Sequence, residues 1–111
     1  MNDVVIVGGK TLHPDMQTML NARAAAGPTG TIEEQRTAWT VYSQALSTPH
    51  PADMKVEDRV LPLDHGNVTV RVYTPASASG DAPCVIYSHG GGFMKGDLDS
   101  SDMFEWGLAQ D

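Results

Sequence analysis

The stretch CVIYSHGGGFMKGD, residues 84–97, is the part of the sequence that says most about the fold. Its first four residues, Cys84–Tyr87, are apolar on both faces, which predicts a central strand of a largely parallel sheet. Three consecutive glycines, Gly90–Gly92, follow after two residues. Because glycine costs backbone entropy on folding, this run predicts a turn in which Cβ atoms do not fit. Beyond Gly96 the apolar spacing becomes helical, and we predict a helix that begins between residues 97 and 102.

A glycine turn between a strand and a helix suits the binding of negative charge. Backbone amides in such a turn can point into a cavity and stabilise the charge that develops on the carbonyl oxygen during acyl transfer. Losing one such donor typically costs about 2.7–4 kcal/mol of transition-state stabilisation. The pattern therefore suits an oxyanion-binding turn, and a glycine-rich connection between a strand and a helix with no catalytic role stays open as the alternative.

The helix predicted after Gly96 has an apolar side and an acidic start. Its expected inner face consists of Met103, Phe104, Gly107 and Leu108. The carboxylates near its start are Asp97, Asp99, Asp102 and Glu105. Carboxylates at a helix N-terminus stabilise the helix dipole, so we expect these groups to serve the helix rather than acid–base chemistry or cation binding.

An antiparallel hairpin is predicted upstream of the glycine turn. Val68, Val70 and Val72 alternate strictly with other residues, which is typical of a strand with one buried face. A strand-like run at residues 56–63 precedes them, and a glycine-containing turn separates the two runs. Pro75 ends the hairpin, and a short polar loop leads to the apolar run.

Two helices are predicted before the hairpin. The first extends from Pro14 to the Gly27-Pro28 pair, which suit a helix start and a helix end. The second begins at Thr31, where Thr31 and Glu34 form a capping-box pattern, and it ends before the proline-containing residues 47–51. The apolar stripe of the first helix is Leu12, Met16, Met19, Leu20 and Ala24, and that of the second is Ile32, Trp39, Tyr42 and Leu46.

Residues 55–111 resemble the start of an α/β-hydrolase of the bacterial hormone-sensitive-lipase-like esterase family, in which a His-Gly-Gly-Gly turn supplies the oxyanion hole. VTVRVYTP at 68–75 resembles the second strand of the family, and YSHGGGFMKGDLD at 87–99 resembles its oxyanion segment. The continuation to Ala109 resembles the first covering helix, and Leu12-His13-Pro14 and Ala24–Gly27 resemble the N-terminal cap helices.

The resemblance implies an α/β fold class and a division of the chain into three parts. Residues 1–10 are an undefined N-terminal extension, and residues 11–54 are a helical cap or lid segment. Residues 55–111 are an incomplete α/β-hydrolase core that comprises the antiparallel hairpin, the first central strand, the oxyanion loop and the first covering helix.

The resemblance also assigns the loop residues. The amides of Gly91 and Gly92 would donate to the oxyanion, and Gly90 would let the loop turn. His89 would hold the loop by hydrogen bonds and would not be the catalytic base. Phe93 and Gly96 would support the loop. No metal or organic cofactor is implied.

The catalytic triad of that family is missing from these 111 residues. Its nucleophile lies in Gly-x-Ser-x-Gly, and none of the seven serines has glycines at both positions two residues away. The four histidines all precede or lie in the oxyanion turn, where the family has no triad histidine. We therefore expect an N-terminal piece of a serine-dependent carboxylic ester hydrolase, inactive by itself, whose complete form acts on a small ester.

Two other functions stay open. One is a non-catalytic, stand-alone binding module. The other is a nucleotide-binding fragment, although Gly8-Gly9-Lys10-Thr11 lacks the earlier glycine of a phosphate loop because position 4 is Val4. The Gly90-x-Gly92-x-x-x-Gly96 spacing also has one residue too many for a dinucleotide fingerprint.

Composition narrows the range of partners and compartments. Acidic residues outnumber basic ones 14 to 7, so the net charge of -7 disfavours binding to nucleic acid or to anionic lipid. The longest clean apolar run, residues 4–7, is far shorter than the about 20 residues of a spanning helix. A single cysteine, Cys84, cannot form an internal disulfide, and we expect it to be a packed, inert thiol. The default expectation is a cytoplasmic protein.

Overall fold

A computed structural model of the chain describes residues 6–110, which fall into two units divided between Leu46 and Ser47. The first unit holds a small hairpin and two helices, and the second holds a longer antiparallel hairpin and one helix. The mixture of helices and antiparallel strands confirms an α/β fold class. Within residues 6–110, no helix has the length and apolar character needed to cross a membrane.

The small hairpin occupies part of the predicted N-terminal extension. Strand β1 (Ile6–Val7) pairs antiparallel with β2 (Lys10–Thr11). Gly8 and Gly9 form the turn between them with φ values of 56° and 76°, as a two-residue turn of this kind requires. Lys10 and Thr11 therefore lie in a strand and not at a helix start, as a phosphate loop would need. Val4 and Val5, the first residues of the apolar run at 4–7, lie outside the described residues.

Both predicted N-terminal helices are confirmed. Helix α1 spans Pro14–Ala25, and the His13 ring caps it by accepting the Asp15 amide at 3.3 Å. Helix α2 spans Ile32–Leu46. The capping box at its start forms as predicted. The Thr31 amide donates to Glu34 Oε2 at 2.9 Å, and the Glu34 amide donates to Thr31 Oγ1 at 3.1 Å.

The packing of α1 against α2 differs from the predicted stripes. The buried residues are the alanines Ala22 and Ala38, one from each helix. Met16 and Ala24, which the stripe placed inside, are exposed. Small side chains let helix backbones approach closely, so they take the centre of a contact that spacing alone assigns to larger residues.

The predicted antiparallel hairpin is confirmed. Strand β3 (Lys55–Leu63) pairs with β4 (Gly66–Thr74) in an unbroken register from Lys55 opposite Thr74 to Leu63 opposite Gly66. The valine face predicted as buried is only half covered, and Val68 is exposed. The other face of β4 instead contacts the helix of this unit. Met54, just before β3, is the one buried apolar residue of this unit within the described chain.

The predicted central strand at Cys84–Tyr87 is absent, because residues 82–90 form no strand. Ile86 is 93% exposed, and Cys84 is exposed rather than packed as expected. A strand exists through hydrogen bonds to a neighbour. Within residues 6–110 the only β-sheet pairings are the two hairpins, so this segment has no neighbour.

Helix α3 spans Leu98–Gln110 and starts within the predicted range. Its predicted inner face is wrong in part, because Phe104 and Leu108 are exposed at 60% and 55%. The buried residue is Ser101. Polar bonds join one side of the helix to β4, and these two large apolar side chains lie at the surface.

Candidate oxyanion loop

The turn that follows the apolar segment is built from residues with unusual backbone conformations. Gly91, Gly92 and Phe93 have successive positive φ values of 147°, 62° and 60°. Such conformations are common for glycine but rare for other residues. Phe93 adopts one at a backbone cost, with its ring fully exposed. The loop is therefore a specific, strained turn.

Gly91 must be glycine on steric grounds. A Cβ atom at this position would lie 1.7 Å from the carbonyl oxygen of Lys95. The same approach lets the amides of Met94 and Lys95 both donate to the Gly91 carbonyl at 3.2 Å. These contacts bring the two ends of the loop, Gly91 and Lys95, together.

Gly96 marks the second close approach in the loop. Its φ is 93°, and a Cβ atom would lie 2.8 Å from the Gly90 carbonyl oxygen and 3.0 Å from His89 Nδ1. The His89 ring nitrogen Nδ1 lies 2.9 Å from the same Gly90 oxygen. At Gly90 itself a Cβ atom would meet nothing within 4 Å, and φ is not positive, so this backbone position does not demand glycine.

The amides assigned to the oxyanion have no competing acceptor. Within residues 6–110, neither the Gly91 nor the Gly92 amide donates to a protein oxygen. Gly91 is half-buried and Gly92 is exposed. Both amides are thus available to an external acceptor.

Helix α3 begins directly after this loop. Asp97 caps it through a reciprocal pair of bonds: the Ser100 amide donates to Asp97 Oδ1, and the Asp97 amide donates to Ser100 Oγ, both at 2.8 Å. The capping role predicted for Asp97 is confirmed. The other three predicted carboxylates have a further role that spacing did not reveal.

Arg71 on β4 forms hydrogen bonds to carboxylates on both β3 and α3. Its guanidinium grips Asp58 on β3 with two bonds, from Nε at 2.7 Å and from Nη2 at 3.0 Å. Nη1 donates to Asp99 at 2.8 Å and to Asp102 at 3.1 Å. The side chain is 16% exposed. The only sequence signal for this cluster was a charged residue within an alternating valine strand.

Tyr73 extends the cluster along β4. Its hydroxyl lies within hydrogen-bond distance of Asp102 Oδ1 and, at 3.0 Å, of Glu105 Oε2. The Ser101 hydroxyl donates to the other oxygen of Glu105 at 2.7 Å. Two turns of α3 are thereby bonded to one face of the hairpin.

Charge and burial shift the ionisation of these groups in consistent directions. Hydrogen bonds from Arg71 lower the pKa of Asp58, and the bond to Asp58 is also the main cause that raises the pKa of Arg71. Burial, followed by the carboxylates of Asp102 and Glu105, raises the pKa of Tyr73. These directions favour a charged Asp58–Arg71 pair and a neutral Tyr73 phenol.

Other reactive residues do not assemble into a second site. His65 lies exposed in the β3–β4 turn, and Ser88 is exposed before the glycine loop. Within the described part of the chain, no three His, Cys, Asp or Glu side chains are arranged to hold a metal ion. The loop and its attachment through Arg71 remain the candidate site.

Comparison with known proteins relates this chain to ester hydrolases. No protein-family model matches the sequence. The chain is 32% identical over 102 residues to carboxylic ester hydrolase LipN of Mycobacterium tuberculosis (strain ATCC 25618 / H37Rv), a match that covers 88% of this chain. It covers 27% of LipN, so the chain spans about a quarter of the length of this curated relative. The similarity supports a relationship with a family of hydrolases.

Proposed function

We propose that this chain supplies the oxyanion-binding loop of a carboxylic ester hydrolase with the α/β-hydrolase fold of the hormone-sensitive-lipase-like group. The observation that carries the proposal is the turn at Gly91 and Gly92, whose two amides have no acceptor within residues 6–110. Similarity to an ester hydrolase over most of the chain supports the same assignment. The substrate class is a small carboxylic ester.

The proposed chemistry is serine acyl transfer. A serine oxygen attacks the ester carbonyl carbon, a base takes the serine proton, and the alcohol leaves with a proton to give an acyl-enzyme. Water then attacks the acyl carbon, the base takes a proton from it and passes a proton to the leaving serine oxygen, and the acid is released. In each of the two attacks the carbonyl oxygen gains negative charge, which the Gly91 and Gly92 amides would stabilise together with one further amide. The serine, the base and the triad acid lie outside these 111 residues.

The remaining loop residues serve the same turn in this proposal. His89 and Gly96 fix its closure, since the His89 ring, the Gly90 carbonyl and Gly96 meet at one point. Phe93 presents its ring at the surface of the loop. In the complete enzyme, residues 11–54 would correspond to part of a lid segment.

A chimera tests the proposal directly. In it, this chain replaces the matching segment of LipN, and hydrolysis of a short-chain nitrophenyl ester is measured. Gly91→Pro removes an amide donor and forces φ to about −65°, so kcat should fall at least about a hundredfold. His65→Ala changes only an exposed turn residue and should leave kcat nearly unchanged. Equal effects of the two substitutions would refute the loop assignment.

The isolated chain provides a second test. Without a nucleophile, the purified 111-residue protein should not hydrolyse esters above background. Ser88 is the serine next to the loop, so Ser88→Ala is the matched control. Turnover that survives stringent purification and disappears in Ser88→Ala would contradict the proposal.

A further inference from the structure

Arg71 joins three separate parts of the second unit. Its two bonds to Asp58 fix the guanidinium against β3, and its third nitrogen reaches the first two turns of α3 through Asp99 and Asp102. A planar fork with five donors can serve these carboxylates together, whereas a lysine ammonium acts as a single point charge. The geometry is specific to arginine.

Apolar packing contributes little to the placement of α3. Phe104 and Leu108 face outward, and the buried residue of the helix is Ser101. Charge-assisted hydrogen bonds are the stronger kind in proteins, and here they join α3 to β4 through Asp99, Asp102 and Glu105. The helix therefore depends on Arg71 and Tyr73 for its position on the hairpin.

The position of α3 in turn determines where the glycine loop ends. Gly96 is followed at once by the capping residue Asp97, and Asp99 lies in the first turn of the helix. The loop closes on itself through Gly91 and Lys95. No flexible spacer separates this closure from the helix start, so movement of the helix start displaces the loop.

We propose that Arg71 is a positioning residue that holds the oxyanion loop, residues 89–96, in place through the first turns of α3. Its importance for catalysis rests on the proposed ester hydrolase function. Its physical effect does not, because the bonds and the loop closure lie within this chain. Arg71 touches no reacting atom, and it acts through Asp99 and Asp102.

Amide hydrogen exchange in the 111-residue chain tests the positioning role. The reporters are the loop amides of Met94 and Lys95 and the cap amide of Ser100, each bonded in the structure. In Arg71→Lys we expect their protection to fall at least about fivefold, as local opening becomes easier. Cross-strand amides of β3 and β4 should stay within about twofold, because nine paired positions hold the register even when the bonds to Asp58 are weakened.

Arg59→Lys is the matched control. Arg59 lies on the same hairpin, and among residues 6–110 its side chain bonds only to Glu57 of its own strand, at 2.9 Å. It should leave both sets of amides unchanged. The double variant Asp99→Asn, Asp102→Asn removes the charges on α3 that bind Arg71. It should reproduce the loss of loop protection while Arg71 still binds Asp58.

The outcomes separate the two proposals. Wild-type loop protection in both the Arg71 and the Asp99/Asp102 variants would overturn the positioning role. So would an equal loss in hairpin and loop, since that indicates general destabilisation. In the chimera, Arg71→Lys should lower kcat with KM nearly unchanged. If the loop loosens but no chimera hydrolyses esters, the proposed function fails and the positioning role stands.

Discussion

The β3–β4 hairpin and the segment at residues 82–90 both contain residues that favour strands, yet only the hairpin forms them. Both contain runs of residues that favour strands, such as Val68–Val72 in the hairpin and Cys84–Tyr87 in the segment. The hairpin pairs nine positions in unbroken register, whereas the segment forms no strand and exposes its apolar side chains.

The difference shows that a segment with strand propensity forms a strand only when another strand is available to pair with it. In the hairpin, a two-residue turn brings the partner to the strand within a few residues. The segment at 82–90 needs strands from elsewhere, and the described chain contains none for it. An exposed apolar segment that favours strands can also pair with other chains, which promotes aggregation. The contrast between the two regions leads to four expected outcomes.

The largest effect is expected in amide exchange. Cross-strand amides of the hairpin should exchange about a hundredfold more slowly than the amides of Val85, Ile86 and Tyr87, because only the hairpin amides are bonded. Exchange monitored by NMR on soluble monomer provides the measurement. Comparable protection across 84–87 would show that the segment pairs with something in solution, and it would favour a self-sufficient module.

Truncation of side chains should separate the same two regions. Met54 lies next to the hairpin and is 5% exposed, so Met54→Ala should lower the free energy of unfolding by about 2 kcal/mol. Ile86→Ala removes a side chain that is 93% exposed and should change stability by less than about 0.5 kcal/mol. Urea unfolding measures both. A larger loss from Ile86→Ala than from Met54→Ala would overturn the contrast.

A pair of tyrosines provides a smaller test. Tyr73→Phe removes the hydroxyl between Asp102 and Glu105 and should cost about 1 kcal/mol. Tyr87→Phe changes an exposed residue of the segment and should have no measurable effect on the urea midpoint. Equal effects would mean that the contact between α3 and the hairpin contributes nothing specific to stability.

The smallest effect concerns acid pH. Bonds from Arg71 lower the pKa of Asp58 in the folded chain below its ordinary value of 3.8. A lowered carboxyl pKa adds stability above the unfolded value, and this stability is lost as pH falls through the folded pKa. The urea midpoint should therefore drop as pH is lowered from about 5 to below 3.8. Asp58→Asn should flatten this dependence, and a variant that retains the full drop would contradict it.

Local signals predicted much of the fold. The capping box at Thr31, the proline at position 14 and the turn before Gly66 each act within a few residues, so the two helices and the hairpin follow from the sequence. The Asp97 cap follows for the same reason. The prediction of a strand at Cys84–Tyr87 was wrong because a strand requires pairing partners, which a local sequence pattern does not provide.

The sequence by itself determined where the glycine loop lies and why Gly91 suits it, because backbone freedom is a property of the residue. Only the tertiary structure decided how the loop is attached. Arg71 meets Asp99 and Asp102 across 28 and 31 residues of chain, a distance at which no spacing rule links them. Those bonds depend on the β3–β4 register and on the side of α3 that faces it, and both are set by long-range contacts.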